Sequence, residues 1–301
     1  MKKDPGSWLM LFALACIWGG SFILMKRGME TADHEAIFSD SQVAALRMLI
    51  AGAVMLPFGL FSLKKIKSRK QVVCLLIVGF CGNFFPAFLF TFAETKLSSG
   101  LAGMLNSFTP FFTLLIGYFI FRQALKLRQS IGLLIAFGGI TLLVLSDSGI
   151  SNNGSWLHVG AIILATLFYG TSLNTIKHTL ADFKSWEITS LAFSFVAIPA
   201  AAAAWFTGTF TTLQTNKYAF SGLGYIAILS LLGTCLALLL FNSIIARTSA
   251  VFASSVTYFI PIVAVIFGVV FNEESFGIMQ LAAMFVVLSG VYIANSKPKA
   301  L

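Results

Sequence analysis

Several residues inside the apolar stretches of this sequence carry groups that could bind another molecule. The candidates are the aromatic, amide or hydroxyl side chains of Trp18, Asn83, Asn106, Tyr169, Thr257 and Tyr258. Such groups hold a small organic molecule by stacking and by hydrogen bonds. A polar side chain in an apolar stretch can equally bond to a neighbouring helix. The pattern indicates a candidate substrate-binding set, with helix packing as the alternative role.

Three further residues have types that suit a gating or structural role. Pro110 and Pro261 each remove one helical hydrogen bond, and each can bend a helix as a gate or as a fixed kink. Arg47 could bind a carboxylate through paired hydrogen bonds, reach outward to water, or tie its helix to a neighbour. We predict a structural or gating role for Arg47. Glu94 closes another apolar stretch, where we expect it to be solvated at the interface.

No Asp, Glu or His stands at the centre of any apolar stretch. Proton-driven carriers and exporters of cationic compounds often use such a group, so its lack favours a neutral or zwitterionic ligand. Proton use through Glu94 or water stays open. The four cysteines lie inside apolar runs without metal-ligand spacing, as small packing residues do. We therefore expect no metal, no cofactor and no enzymatic activity.

The composition indicates that lipid is the solvent for most of this surface. Hydrophobic residues make up 58% of the chain and charged residues 10%, against roughly 25% charged in ordinary globular proteins. A soluble fold would have too little polar material to cover that much apolar surface. The net charge of +9 comes mainly from short segments between apolar runs, which is typical of orientation signals rather than of nucleic-acid binding.

Ten apolar stretches have the length of a membrane-spanning helix. They lie near residues 8–25, 42–63, 71–93, 99–121, 128–146, 157–177, 186–206, 221–246, 250–271 and 277–295. With both termini in the cytoplasm, fifteen of the twenty Lys and Arg residues fall on the cytoplasmic side. The positive-inside rule favours that orientation, because the opposite one would invert the ratio.

An internal repeat relates the two halves of the chain through one constant shift of the sequence along itself. The shift that aligns Trp18 with Tyr169 also aligns Gly82 with Gly233, and Pro110 with Pro261 as part of gap-free stretches. The repeats are predicted to be residues 1–148 and 149–301. Five spans per repeat, an odd number, place the two repeats in opposite orientations, an arrangement that many transporters use around a central cavity.

The segment from Ile17 to Phe22, Ile-Trp-Gly-Gly-Ser-Phe, with Ala-Ala-Leu-Arg-Met-Leu from Ala44 to Leu49, resembles the EamA-type drug/metabolite transporter superfamily. The likeness extends over essentially the whole chain. It implies a ten-helix bundle that moves amino acids, other metabolites or amphiphilic drugs, commonly outward. One position departs from the pattern: the family often has Glu after its fourth helix, where this chain has Arg122-Gln123, whereas the second repeat keeps Glu273-Glu274.

The leading hypothesis is a carrier in the cell (inner) membrane, crossing it several times, that exports amino acids or similar amphipathic solutes by alternating access. Its partners would be a small-molecule substrate and the lipid bilayer, with no nucleic acid, in a monomer or a homodimer. The alternatives are a lipid or polyprenyl-carrier flippase, which needs a laterally open groove, and a drug efflux carrier. An intramembrane enzyme or a scaffold fits the sequence less well.

Overall fold

The protein was analysed as a computed structural model, which describes residues 5–124, 127–146, 155–247 and 256–295. Within these ranges the secondary structure is helical apart from one isolated bridge between Glu30 and Ala36. The long helices are α1 Pro5–Met29, α2 Asp40–Ser62, α3 Arg69–Glu94, α4 Ser99–Phe119, α5 Leu127–Ser146, α6 Trp156–Thr179, α7 Ser185–Phe206, α8 Ala219–Ser230 continued by Leu231–Leu236 and Ala237–Arg247, α9 Val256–Asn272 and α10 Ile278–Asn295. A short helix, Thr209–Thr215, occupies the break predicted between α7 and α8.

Eight of the described helices, α1 to α8, are long and apolar enough to cross a membrane, and two shorter apolar stretches follow at Phe259–Asn272 and Ile278–Ala294. The prediction of an all-helical, multi-pass membrane protein is therefore confirmed. The count of ten spans stays a prediction. Many apolar side chains face outward, as expected for helices whose surroundings are hydrocarbon rather than water.

Repeat-equivalent helices pack against each other in antiparallel pairs. In the pair α2 and α7, Gly52 lies against Ala197, whereas Gly59, further along α2, lies against Ser194. The pair α5 and α10 packs through Gly132, Gly139, Gly290 and Ala294 in the same antiparallel sense. The glycines let the backbones approach closely. In these two pairs the equivalent helices run in opposite directions, which is the packing expected of two halves with inverted orientations.

Three of the described helices contain an irregular segment, and two of these segments begin at repeat-equivalent positions. A π-helical segment interrupts α3 at Phe80–Phe84, and another interrupts α8 at Leu231–Leu236, starting at the repeat-equivalent position. Such segments leave backbone carbonyls available to partners outside the regular ladder. In α4 a 3₁₀ segment, Asn106–Phe108, precedes Pro110. The missing proline N–H is tolerated there because Pro110 stands in the first turn of the next helical segment.

The two ends of the bundle are recognised by contacts between distant segments. At one end, called here the Glu94 end, Arg27 at the end of α1 donates a hydrogen bond of 2.7 Å to the Phe271 carbonyl at the end of α9. At the opposite end, called here the Arg122 end, Lys65 forms an ion pair with Glu187 at the start of α7.

Candidate functional site

The centre of the bundle is formed where α1 crosses α9 and where α6 crosses α4. A Cβ atom on Gly19 would lie 2.6 Å from Cγ1 of Val263, and one on Gly170 would lie 2.9 Å from the carbonyl carbon of Phe112. No larger residue fits either crossing without movement of the neighbours. Gly19 and Gly170 are equivalent by the repeat, and each follows the aromatic residue that the sequence singled out. The close crossings therefore hold those two aromatic residues at the core of the bundle.

Each of these aromatic residues packs on a phenylalanine from another helix. Trp18 lies 5.5 Å from Phe241 of α8, and Tyr169 lies 6.0 Å from Phe90 of α3 between ring centroids. Phe90 and Phe241 are themselves repeat-equivalent positions, so the two pairs are related by the repeat. Trp18 also donates its indole N–H to the Gly233 carbonyl at 3.1 Å, a carbonyl in the π-helical segment of α8. This partner satisfies a polar group that would be costly to leave unpaired.

Phe22 joins the two pairs into one group. It lies 5.9 Å from Phe90 and stands one helical turn after Trp18, on the same face of α1. We call Trp18, Phe22, Phe90, Tyr169 and Phe241 the aromatic cluster. Phe22 and Phe90 are buried, whereas Trp18 and Tyr169 are half-buried. The cluster thus retains two partly accessible rings against which an apolar or aromatic group can stack.

Arg47 lies beside this cluster, toward the Glu94 end. It is within electrostatic range of Tyr169 and of Glu94, and its Nη1 contacts the sulfur of Met25 at 3.6 Å. Its Nε is buried without a hydrogen-bond partner among the described residues. A guanidinium in this state has donors to offer a carboxylate.

The other substrate-binding candidates have more local partners. The amide of Asn83 donates to the Val78 carbonyl of its own helix at 3.3 Å, across the π-helical segment. No described contact joins Asn83 to the aromatic cluster. Asn106 is half-buried in the 3₁₀ segment of α4, where its side-chain oxygen accepts a hydrogen bond of 3.3 Å from Thr109. Pro110 directly follows this irregular turn.

In α9 the structure describes part of the predicted set. Thr257 is half-buried near the start of the helix, and Pro261 is buried within it. The helix continues through Pro261 to Asn272, so this proline does not end it. The side chain of Tyr258 lies outside what the structure describes.

The expectation that Glu94 is solvated at an interface is wrong. The residue is 2% exposed, and both oxygens of its carboxylate are buried. Lys26 of α1, Arg47 of α2 and Glu274 of the segment after α9 lie within electrostatic range of Glu94. A single sequence does not show that a carboxylate from the other half of the chain lies near the end of this helix.

Glu274 was noted in the sequence only as a family marker, and the structure gives it a contact. Its two oxygens accept hydrogen bonds from the backbone N–H groups of Ser99 at 2.7 Å and Gly100 at 2.9 Å. The amide of Asn272 donates to the same carboxylate at 3.2 Å. The carboxylate thereby caps the first turn of α4, where free N–H groups and the helix dipole favour negative charge. We call this contact the Glu274 cap.

The equivalent turn in the first repeat has the same backbone but other partners. Arg122 and Glu273, which the repeat aligns, have φ angles of 52° and 53°. Gln123 follows Arg122, and Glu274 follows Glu273. The Gln123 amide donates to the side-chain oxygen of Asn174 at 3.0 Å. Asn174, which the sequence reasoning missed, is itself buried.

Asn174 links two helices close to the cluster. Its amide nitrogen donates to the carbonyls of Thr113 in α4 and Gly170 in α6, both at 2.9 Å. It stands near the α4–α6 crossing, one helical turn after Gly170. The signal that could have found it is its position one helical turn after Gly170, the glycine that the repeat aligns with Gly19.

A partly open, mainly apolar groove of about 670 Å³ lies between α1, α8 and α9. None of the residues predicted to bind substrate lines it. Its lining includes Gly20, Leu24, Arg27, Tyr225, Gly233 and Phe267. Gly233 is also the acceptor of the Trp18 hydrogen bond, so this contact lies between the groove and the aromatic cluster.

The sequence profile of the EamA-like transporter family matches the chain twice, over residues 6–145 and 156–296. The chain is a member of the EamA-like transporter family. The resemblance seen in the sequence is thereby confirmed, and each of the two matches covers five of the long helices. Membership places the protein among membrane transporters.

Known proteins of similar sequence carry transporter names. The chain is 25% identical to the uncharacterized transporter YetK of Bacillus subtilis (strain 168), over 99% of this chain and 89% of that protein. It is 26% identical to the uncharacterized inner membrane transporter YedA of Escherichia coli (strain K12), over 96% of this chain and 92% of that protein. A solved crystal structure shares the fold, with a TM-score of 0.61 at 15% identity over 97% of both chains.

Proposed function

We propose that this EamA-like protein exports amino acids or similar amphipathic solutes by alternating access. The observation that carries the proposal is the aromatic cluster with the incompletely bonded guanidinium of Arg47 beside it. An apolar side chain of a substrate would stack on Trp18 and Tyr169, and its carboxylate would bind Arg47. A zwitterion with an aromatic or aliphatic side chain matches both surfaces.

The proposed arrangement in the membrane follows from the charges and the repeat. All ten long helices span the bilayer of the cell (inner) membrane, and both termini lie in the cytoplasm. The Glu94 end is then external, and the Arg122 end, with Lys65 and Lys177 nearby, is cytoplasmic, in accord with the positive-inside rule. The boundary between the two repeats, residues 1–148 and 149–301, falls in the stretch 147–154, which lies outside the described residues.

Alternating access would use the inverted halves. Each half contributes one ring to each aromatic pair and one helix to each glycine crossing, so this centre lies between the halves. Rocking of one half against the other would expose the aromatic cluster first to one end of the bundle and then to the other, as inverted-repeat carriers do.

The test is transport by the purified protein in proteoliposomes, with a panel of amino acids, nucleosides, sugars and cationic dyes. We expect an amino acid to be transported, and Trp18→Ala to raise its KM by about tenfold, or about 1.4 kcal/mol. Trp205→Ala is the matched control, because Trp205 is 71% exposed on α7. Unchanged kinetics in Trp18→Ala and Tyr169→Ala would contradict the assigned site.

A comparison between a substrate and its amide derivative tests the role of Arg47. The wild-type protein should prefer a substrate to the derivative in which the carboxylate is replaced by an amide. Arg47→Gln should abolish that preference, and Arg47→Lys should restore it only in part, because lysine lacks the paired donors. If Arg47→Gln keeps the preference, Arg47 does not bind the carboxylate.

The groove gives one observation in favour of the second candidate, transport of a lipid-like molecule. It is mainly apolar, opens to the protein surface, and has Arg27 among its lining residues. This function predicts that Tyr225→Ala alters transport of a fluorescent phospholipid between leaflets while Trp18→Ala leaves it unchanged. If the protein transports an amino acid, and Trp18→Ala alters that transport while Tyr225→Ala leaves it unchanged, the result supports the first candidate.

A further inference from the structure

Glu94, at the end of α3, carries a buried carboxylate that the transport site described above does not use. The residue is 2% exposed, and neither oxygen has a hydrogen-bond partner among the described residues. The hydroxyl of Ser99, at the start of α4, is likewise buried without a partner, as is Nε of Arg47. This end of the bundle therefore contains several polar groups that are buried without partners among the described residues.

The charged groups that act on Glu94 come from three surrounding segments. They are Lys26 of α1, Arg47 of α2, and Glu274 of the segment after α9. Neither cation forms an ion pair with Glu94 among the described residues. From α6, Tyr169 interacts with Arg47 and His158 with Lys96. The attraction of the cations is thus offset in part by a second carboxylate.

Glu94 and Glu274 differ in how their carboxylates are bonded. Glu274 accepts hydrogen bonds from two backbone N–H groups at the start of α4 and one from Asn272. These donors stabilise a negative charge on Glu274. Glu94 has no such donors among the described residues. An ionised carboxylate that is buried and unbonded is strongly unfavourable, and a negative neighbour makes it more so.

We propose that Glu94 is a proton-binding site, occupied while the Glu94 end is closed, and that its proton is released when this end opens. The step is a simple dissociation, in which the carboxylic acid gives a carboxylate and one H⁺ to the water that enters. The freed carboxylate then gains solvation. Closure of this end expels that water and requires Glu94 to take up a proton again.

This inference rests on the proposed function for its use, because it makes the proton a regulator of substrate release. With the Glu94 end external, the proton is returned to the outside on opening and taken up from the outside on closure, so no proton crosses the membrane. External pH would then set how readily this end opens for substrate to leave. The proton site itself is testable without any substrate.

The first measurement is infrared difference spectroscopy of the full-length protein in lipid, titrated over pH. We expect the wild type to show the carbonyl band of a buried protonated carboxylic acid, and Glu94→Gln to lack it. Glu35→Gln is the control, because Glu35 is an exposed acid at the same end, paired with Lys217 at 3.2 Å. A band that Glu94→Gln leaves unchanged would show that Glu94 is ionised and would overturn the proposal.

The second measurement connects the proton to opening. A Ser99→Cys reporter is labelled with a membrane-impermeant thiol reagent over pH, and the rate is divided by that of Asp33→Cys, an exposed loop position. We expect the ratio to rise severalfold toward alkaline pH, and to stay low and pH-independent when Glu94→Gln is added. A ratio that keeps its pH dependence in Glu94→Gln would contradict the coupling.

Transport by Glu94→Gln completes the test. Transport by the wild type should become faster as the external pH rises, whereas transport by Glu94→Gln should be slower and independent of external pH. If Glu94→Gln fails to fold, Glu94→Asp replaces it, and the carbonyl band should then move rather than vanish. If the wild type moves none of the solutes in the panel, the proposed function fails, while the spectroscopic and labelling results still decide the proton site.

Discussion

Trp18 and Gly233 are joined by a hydrogen bond of 3.1 Å between an indole N–H and a backbone carbonyl, although 215 residues separate them. The bond crosses from α1 to the π-helical segment of α8, and so from the first repeat to the second. It fixes the plane of the indole beside Phe241. The aromatic surface of the candidate site is thus oriented by an irregularity in another helix.

Trp18→Phe keeps an aromatic ring and removes the N–H donor. We expect the variant to unfold at lower temperature, by an amount equivalent to about 1 kcal/mol, because the Gly233 carbonyl loses its partner. Thermal unfolding in lipid nanodiscs measures this. Trp205→Phe, on an exposed surface of α7, should be neutral. An equal effect of both substitutions would contradict the structural role of the bond.

Gly170→Ala tests the crossing of α6 and α4. Its Cβ would lie 2.9 Å from backbone atoms of Phe112 and Thr113, which cannot yield as a flexible side chain can. We expect destabilisation of about 1–3 kcal/mol and reduced transport. Gly160→Ala is the control on the same helix, because nothing lies within 4 Å of that position. Alanine there should be neutral or stabilising.

Glu274→Gln tests the Glu274 cap. The amide keeps one acceptor oxygen and loses the charge, so the start of α4 should be held less firmly. We expect faster labelling of the Ser99→Cys reporter by an impermeant thiol reagent, by about tenfold, equivalent to about 1.4 kcal/mol. Glu273→Gln removes a neighbouring charge and should leave the rate unchanged.

The ion pair between Lys65 and Glu187 is expected to stabilise the Arg122 end of the bundle. Glu187 is fully buried and also accepts the backbone N–H of Lys184 at 2.9 Å. Lys65→Met leaves this carboxylate without its cation, and we expect a loss of about 1.5–3 kcal/mol in unfolding free energy. Lys64→Met, at the adjacent exposed position, is the control. If both variants unfold alike, the pair contributes nothing measurable.

Much of the architecture follows from the sequence because helix length, hydropathy and the repeat shift are local or pairwise properties. The shift also led to Trp18 and Tyr169, which the structure holds in one aromatic cluster. The same shift aligns Phe90 with Phe241, so the sequence could have added both residues to the candidate set. The repeat shift does not predict which side chains or carbonyls these residues contact. Asn83, for example, bonds to the Val78 carbonyl of its own helix, beside a π-helical segment that the sequence does not predict.

Glu94 shows why the remainder could not be read from residue order. The end of an apolar run normally meets water, and that expectation is sound for an isolated helix. Here Glu94 is buried, and Glu274 from the opposite half of the chain lies within electrostatic range of it. Only the folded arrangement contains that information. The groove between α1, α8 and α9 is likewise a property of three separate segments.

Arg122 and Glu273 adopt nearly the same unusual backbone angle, yet the residue after each differs by an amide for a carboxylate. At one end of the bundle this residue is therefore a charged acceptor, Glu274, and at the opposite end it is a neutral amide, Gln123, which donates to Asn174. A carrier made of two identical halves would rest equally in either direction. In the proposed alternating-access cycle, this difference of one side-chain group would give the two open states different energies, and so would favour one direction of opening before any solute binds.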